Sequence, residues 1–457
     1  MKATQRKTIL RLCIILGVIL TLIVGWLVFD HYVDRSGWVE KDGQYSYRDF
    51  HGQKITGWLE LDDRTCYFDE NHIMVTGWQE LDGHRYYFGT NGIMYTGWKN
   101  VDNIRCYFES NGMLHTGWLD LDGKRYYLES SGAMVSGWKE IAGDTYYFGE
   151  NGAMVSGWNN MTGITYYFDE SGRLITGHVT LEGSNYYFLE DGMMFTGWEH
   201  ADDGIRFYGT DGIQVFGWTQ IEEKLYCFGE DGLMKTGWYE EEEYRYYFHE
   251  DGAAAIGPTE IDGQLYHFTP MGIMVVLVNA DLSVPSYYKP DLTTYIPWHE
   301  VDSLVLEPLT KMLEDCTAAG YPYEFNSAYR SIKVQQEILS LRTQEYEAKG
   351  YPNDQAYLEA RKTVALPGTS EHHLGLAVDI LNVKDNVPQA LEWLGEHCWE
   401  YGFILRYAAD KAEITGIIHE PWHFRYVGTR VSMDMKDSGL CLEEYLGAAP
   451  VENPAIS

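Results

Sequence analysis

The spacing of apolar residues divides the chain into three stretches. Leu12 to Phe29 is an uncharged run of 18 residues. As a helix it spans about 27 Å, close to the hydrocarbon thickness of a bilayer. From Gly37 to Met274 the pattern is short and recurs every 20 residues. Gly stands at 37, 57, 77 and onward to 257 without a slip, and Trp follows it in ten of the twelve units, His178 and Pro258 being the exceptions. Between them lie short aromatic runs such as Tyr126-Tyr127 that read as strands. Asp122-Gly123 and Asn111-Gly112 supply the positive φ of tight hairpin turns. One hairpin is marginal alone, but stacked neighbours bury their Trp and Tyr faces together, so a β-solenoid is predicted. After Met274 the period fails. Pro285, Pro290 and Pro297 mark an extended lead-in. Helical spacing then covers Leu304 to Ala319, Ser331 to Lys349, Gln355 to Val364 and Val387 to Tyr401, with short strands at Ala377–Ile380 and His423–Val427. The predicted fold class is multidomain: an N-terminal transmembrane helix, a β-hairpin-repeat solenoid and a C-terminal α+β domain.

The flanks of the apolar run give it a direction. Lys2, Arg6, Lys7 and Arg11 precede it, and Asp30 and Asp34 follow. The positive-inside rule leaves residues 1–11 in the cytoplasm, spans 12–29 as a signal-anchor and exports the rest. A cleaved signal peptide is the competing reading; Gly25-Trp26-Leu27-Val28-Phe29 is too bulky for a small-residue cleavage site. Residues 37–274 are the repeats, 277–447 the C-terminal domain and 448–457 a tail. Lys plus Arg number 34 against 68 Asp plus Glu, a formal charge of -34. Such a surface repels phosphate backbones, so nucleic acid is excluded as a partner. The seven cysteines include no Cys-x-x-Cys pair. Cys66, Cys106 and Cys227 stand where neighbouring repeats have Tyr, so they read as buried free thiols in place of core aromatics.

The candidate chemistry sits in the last third. His372 and Asp379 stand seven apart, bridged by Leu374-Gly375-Leu376-Ala377; Gly375 permits a close turn and Ala377 tight packing. His423 offers a third ligand, which suits a catalytic zinc that keeps one position open. Glu420, three residues earlier, is a carboxylate able to act as base. Arg330, in Ser327-Ala328-Tyr329-Arg330-Ser331, can grip a terminal carboxylate with two parallel hydrogen bonds. His419-Glu420-Pro421-Trp422-His423 also matches the His-Glu-x-x-His pattern, which needs a helix; Pro421 disfavours one. Trp422 and Tyr426 are either pocket walls or core.

Leu277-Val278-Asn279, Tyr329-Arg330-Ser331, Ser370-x-His372-x-x-Gly375-x-Ala377-x-Asp379 and Glu420-x-Trp422-His423 together resemble the VanY family of zinc D-alanyl-D-alanine carboxypeptidases. The resemblance implies Zn2+ held by His372, Asp379 and His423, Glu420 as base, Arg330 binding and polarising the substrate end, and Ser370 and Gln335 lining the site. The expected activity is removal of the terminal D-Ala from peptidoglycan stem peptides; L,D-carboxypeptidase action on tetrapeptides, and a wall-binding adhesin with an inert peptidase domain, are the alternatives. The 20-residue units resemble the cell-wall-binding repeats of choline-binding and glucan-binding proteins. Trp98, Trp118, Trp138, Tyr126 and Tyr127 are then ligand-binding or solenoid core. The place where choline-binding repeats carry a further Trp holds Arg85, Arg125, Thr145, Thr165 or Asn185, so a choline cage would lose a wall. The resemblance implies wall carbohydrate or a choline-type ligand as a partner; with the apolar run, a membrane-anchored, wall-associated protein is expected.

Overall fold

The computed structural model describes residues 4–32, 35–62, 64–383 and 389–452. Lys2, Asp34, Val387 and the tail from 453 onward lie outside the described residues. The chain packs as two compact units, Met1–Phe195 and Thr196–Ser457.

In the first unit, Thr4–Tyr32 is one helix. Its stretch Lys7–Val28, with mean hydropathy 2.5, is a candidate membrane span by length and composition. Eight antiparallel hairpins follow. Each strand has five residues, as in Gly117–Leu121 paired with Lys124–Leu128, Trp118 facing Tyr127. Asp122 (φ 53°) and Gly123 (φ 72°) are both left-handed, as a type I′ turn requires. Asn111-Gly112 behaves differently from the expected hairpin turn. Only the glycine has positive φ (86°), and the pair lies in the loop between hairpins, Asn111 Oδ1 accepting the Met113 N–H. That loop carries the stack: Met134 N–H donates to the Arg105 carbonyl of the preceding hairpin at 2.9 Å. Phe108, Leu128, Phe148 and Phe168 are fully buried, one per rung.

The aromatic sites serve the stack. Trp98 meets Tyr107 and Tyr126, Trp118 meets Tyr127 and Tyr146, and Trp138 meets Tyr147 and Tyr166, with centroids 5.0–5.3 Å apart. Such edge contacts contribute about 0.5–1.5 kcal/mol each beyond area burial. The outer faces of Trp58, Trp78, Trp98, Trp118, Trp138 and Trp158 fall into two classes, set by the residue seven positions later. The guanidinium carbons of Arg85, Arg105 and Arg125 lie 4.3, 5.1 and 4.4 Å from the Trp78, Trp98 and Trp118 ring centroids. Where Thr65, Thr145 or Thr165 takes that place, Trp58, Trp138 and Trp158 are 42–45% exposed. Cys66 and Cys106 are buried and free.

In the second unit, four more hairpins run from Gly197 to Phe268. Tyr244, Tyr246, Phe248 and Leu277 share an apolar cluster with Val427, Val431, Met435 and Leu442 of the C-terminal domain. Arg430 Nη2 donates to Glu242 at 2.8 Å. The sequence period ends at Met274, but the last hairpins and the C-terminal domain bury one surface between them.

The C-terminal domain is built on a four-stranded antiparallel sheet: β1 (Tyr323–Ser327), β2 (Ala377–Asn382), β3 (Phe403–Tyr407) and β4 (Glu420–Tyr426), in the order β1-β2-β4-β3. Alternation in β2 sends Val378 and Ile380 into the core, leaving Asp379 and Leu381 on the opposite face. The core face is covered by α1 (Leu306–Ala318), which buries Leu309, Met312, Leu313 and Cys316 at helical spacing, and by α2 (Ala390–His397). Opposite stand α3 (Ile332–Ala348), whose N-cap Ser331 accepts the Val334 N–H, and α4 (Asn353–Arg361). Cys398–Tyr401, expected as helix, is a 3-10 turn. β1, β3 and the hairpin Leu292–Ile296/His299–Asp302 arise where the sequence indicated no strand. Pro297 there occupies the turn, where its missing N–H costs no ladder bond.

Candidate metal and catalytic site

Two paired strands and the turn before one of them bring the candidate ligands together. Asp379 on β2 lies directly opposite His423 on β4. His372 comes from the 3-10 turn Glu371–Leu374, closed by Gly375 at φ 72°. A Cβ on Gly375 would lie 2.9 Å from the Asp302 amide nitrogen, so only glycine fits this close approach. One ligand atom from each of His372, Asp379 and His423 lies within 4.8 Å of the others, and all three residues are buried.

Hydrogen bonds fix which atoms face inward. His372 Nδ1–H donates to the Ala328 carbonyl at 2.7 Å, leaving the Nε2 lone pair 3.3 Å from Asp379 Oδ2. His423 Nδ1 lies 3.2 Å from Asp379 Oδ1, and its Nε2 faces Glu371 Oε2 at 3.4 Å. His373 is fully used elsewhere: Nδ1–H donates to the Arg330 carbonyl and Nε2 accepts the Gly368 N–H. Asp379 Oδ1 is buried with no hydrogen-bond partner. Two imidazoles and a carboxylate with an orphaned oxygen are a donor set that fits a divalent cation such as zinc.

Glu420 reaches the same place through a β-bulge. The register between β3 and β4 jumps from Leu405↔Phe424 to Tyr407↔Glu420, inserting extra residues into β4. Residues three apart on a regular strand face opposite ways; here Glu420 Oε2 lies 3.8 Å from His423 Nδ1. Burial, with the nearby Asp379 charge adding to it, pushes the Glu420 carboxyl up to about 7, against His423, Arg330 and Arg342. Burial opposes charge on His423, but the adjacent Asp379 and Glu371 carboxylates outweigh it and push the ring up to about 9. Burial, reinforced by Arg330, pushes His372 down to about 4. Burial works against charge on Asp379 too, yet the two imidazoles hold it well below the usual carboxylate range.

A cavity of about 510 Å³ opens over these groups, and Arg330, Gln335, Ser370 and Trp422 line it. Arg330 Nε donates to Ser327 Oγ at 2.8 Å and Nη2 donates to Asp379 Oδ2. Gln335, nearly fully buried, donates to the Ala365 carbonyl at 2.9 Å. Tyr426 packs instead against Phe403 in the core. The His-Glu-x-x-His segment is not a helix: Glu420 to His423 belong to β4, and His419 Nδ1–H is spent on the Tyr407 carbonyl.

Sequence reasoning passed over Glu371. Its side chain is fully buried, Oε1 accepting from Arg406 Nε and Arg425 Nη1 at 2.9 Å each. Arg406 continues to Glu443, which accepts from Asn279 Nδ2 at 3.2 Å. The partners are 35 and 54 residues from Glu371, so no local spacing signals the cluster.

The family profile described as D-alanyl-D-alanine carboxypeptidase, VanY, matches residues 298–429. A D-alanyl-D-alanine carboxypeptidase of Enterococcus faecalis is 41% identical over 174 residues, 38% of this chain and 65% of its own length. The bifunctional D-Ala-D-Ala dipeptidase and D-Ala-D-Ala carboxypeptidase VanXYC of Enterococcus gallinarum is 34% identical over 182 residues, 37% of this chain and 91% of its own length. The chain belongs to the VanY family. The VanY region lies wholly within the second unit and contains the whole His372, Asp379, His423 cluster. The chain spans less than two thirds of the length of the first relatives it matches, 65% of the Enterococcus faecalis protein. A VanY-family structure, VanYB in complex with D-alanine-D-alanine, is 41% identical with a TM-score of 0.36, covering 38% of this chain and 96% of that one. Upstream of the VanY region, residues 95–137 and 135–178 match the choline-binding repeat.

Proposed function

We propose that this protein is a zinc-dependent D-alanyl-D-alanine carboxypeptidase that removes the terminal D-alanine from peptidoglycan stem peptides. The observation that carries the reading is the buried His372, Asp379, His423 cluster with Glu420, pushed up to about 7, at its side. His372, Asp379 and His423 would hold the metal. Zinc bound there supplies Lewis acidity toward a carbonyl oxygen and toward water. Glu420 takes the proton of the attacking water and returns it to the departing amine; a carboxyl poised near neutrality can do both. Arg330 offers its guanidinium to the substrate's anionic end, and Gln335 and Ser370 shape the floor around it.

The remainder of the chain places this activity. The N-terminal helix is the membrane anchor, and the repeats bind wall polymer through the exposed outer faces of Trp58, Trp138 and Trp158, over which no arginine stacks among the described residues. Several weak sites on one array gain affinity by avidity.

The test is mass spectrometry of a defined stem pentapeptide incubated with the zinc-loaded protein. Release of one D-alanine is expected, reduced about 10²–10⁴-fold in Glu420→Gln with zinc content unchanged. A zinc-loaded protein that releases none refutes the reading.

A further inference from the structure

One face of α3 runs the depth of the cavity. Gln335, Ile338 and Arg342 all line it, at the three- and four-residue spacing that puts side chains on one side of a helix. Gln335 is nearly fully buried at the floor, where its amide oxygen accepts from Arg330 Nη1 at 3.4 Å. Arg342 stands at the mouth with its side chain 45% exposed. Between them the wall is apolar, with Ile338, Val364 and Ile417. The cavity thus has a cation at its floor, a greasy middle and a second cation at its rim.

The distance between the two cations selects a substrate position. Seven residues of helix separate the Gln335 and Arg342 levels by about 10 Å. In an extended peptide, two residues span about 7 Å, and a side chain supplies the rest. With the terminal carboxylate held at the Arg330 level, the group that meets Arg342 belongs to the third residue from the C-terminus. The one ion pair of Arg342 among the described residues is with Glu345 at 2.8 Å, one turn along the same helix, both half exposed. Exposed pairs of this kind contribute little, so a substrate anion displaces Glu345 cheaply.

We infer that Arg342 is a specificity-determining residue that selects peptides carrying a free carboxylate on the residue just before the D-Ala-D-Ala end. This rests on the proposed carboxypeptidase reading and deepens it. A lysine side chain at that position meets a like charge; a diamino-dicarboxylic acid or a glutamate meets an opposite one.

The experiment compares acetyl-X-D-alanyl-D-alanine tripeptides with X as glutamate, alanine or lysine, on the zinc-loaded protein. KM is expected about 2–5-fold lower for glutamate than for lysine, the range of one partly exposed charge contact. Arg342→Gln should erase the difference, and Glu345→Gln should widen it. Direct binding of the same peptides by calorimetry is read in parallel. Equal affinities, a preference for lysine, or a glutamate preference that survives Arg342→Gln overturns the role of Arg342. No D-alanine release, with an affinity difference that still depends on Arg342, overturns the carboxypeptidase reading and leaves the role of Arg342 standing.

Discussion

Glu371→Gln probes the buried frame behind the candidate ligands. Glu371, Arg406, Arg425 and Glu443 form a balanced group of two negative and two positive charges, with the first three side chains 0–1% exposed. The substitution keeps the shape and one acceptor oxygen but leaves an uncompensated guanidinium in the interior. Removing one partner of a buried pair costs about 3–5 kcal/mol. The retained amide oxygen puts the expected loss of metal-free stability near the lower end, about 3 kcal/mol. A second effect falls on the metal. Glu371 Oε2 faces His423 Nε2 at 3.4 Å and so orients the ring that offers Nδ1 to the cluster. Losing such a supporting carboxylate costs about 10–100-fold in metal affinity, or about 1.4–2.7 kcal/mol. Urea unfolding with chelator and with excess zinc reads the first number and, by difference, the second; a competing chromophoric chelator reads the second directly. Adding Arg425→Met should recover at least half of the stability loss by removing the stranded charge. A variant that loses less than about 0.5 kcal/mol and keeps its zinc affinity within twofold refutes this account, since those values belong to surface positions.

Three further outcomes follow from the geometry. His372→Ala should abolish stoichiometric zinc binding by metal analysis, while His419→Ala keeps it, because His419 is spent on the Tyr407 carbonyl. Zinc affinity should depend on pH with a definite sign. In the metal-free protein, burial disfavours charge on His423, but the adjacent Asp379 and Glu371 carboxylates outweigh it and push the ring up to about 9. Its raised value means a stabilisation fully present below the unfolded value of about 6.5 and lost as pH rises through about 9. Zinc requires the neutral ring, so competition titrations should show apparent affinity climbing with pH and levelling above about 9. In the repeats, Gly172→Ala and Gly123→Ala should differ in melting experiments. Both glycines have positive φ, 84° and 72°, but a Cβ at 172 would lie 2.3 Å from Met154 Sδ and one at 123 meets nothing within 4 Å. Backbone strain costs each about 1–2 kcal/mol, and overpacking adds about 1–3 at Gly172 alone.

Much of the architecture was legible because it is written locally. A hairpin repeat needs its glycines and aromatics at fixed intervals, so the 20-residue period, the Asp122-Gly123 turn and the apolar N-terminal run could be read directly. The helix Ile332–Ala348 was readable from its cap Ser331 and its spacing. His372, Asp379 and His423 could be nominated because their residue types and neighbours limit the chemistry. Which side chains face one another is decided by strand pairing and by bulges, which depend on contacts distant in sequence. The register that sets Asp379 opposite His423, and the insertion in β4 that turns Glu420 toward it, exist only once three strands meet. Glu371 is the sharpest case. By composition it is one of 68 acidic residues. Only folding removes it from water and surrounds it with Arg406 and Arg425, because a buried charge must find its partners wherever the chain happens to bring them.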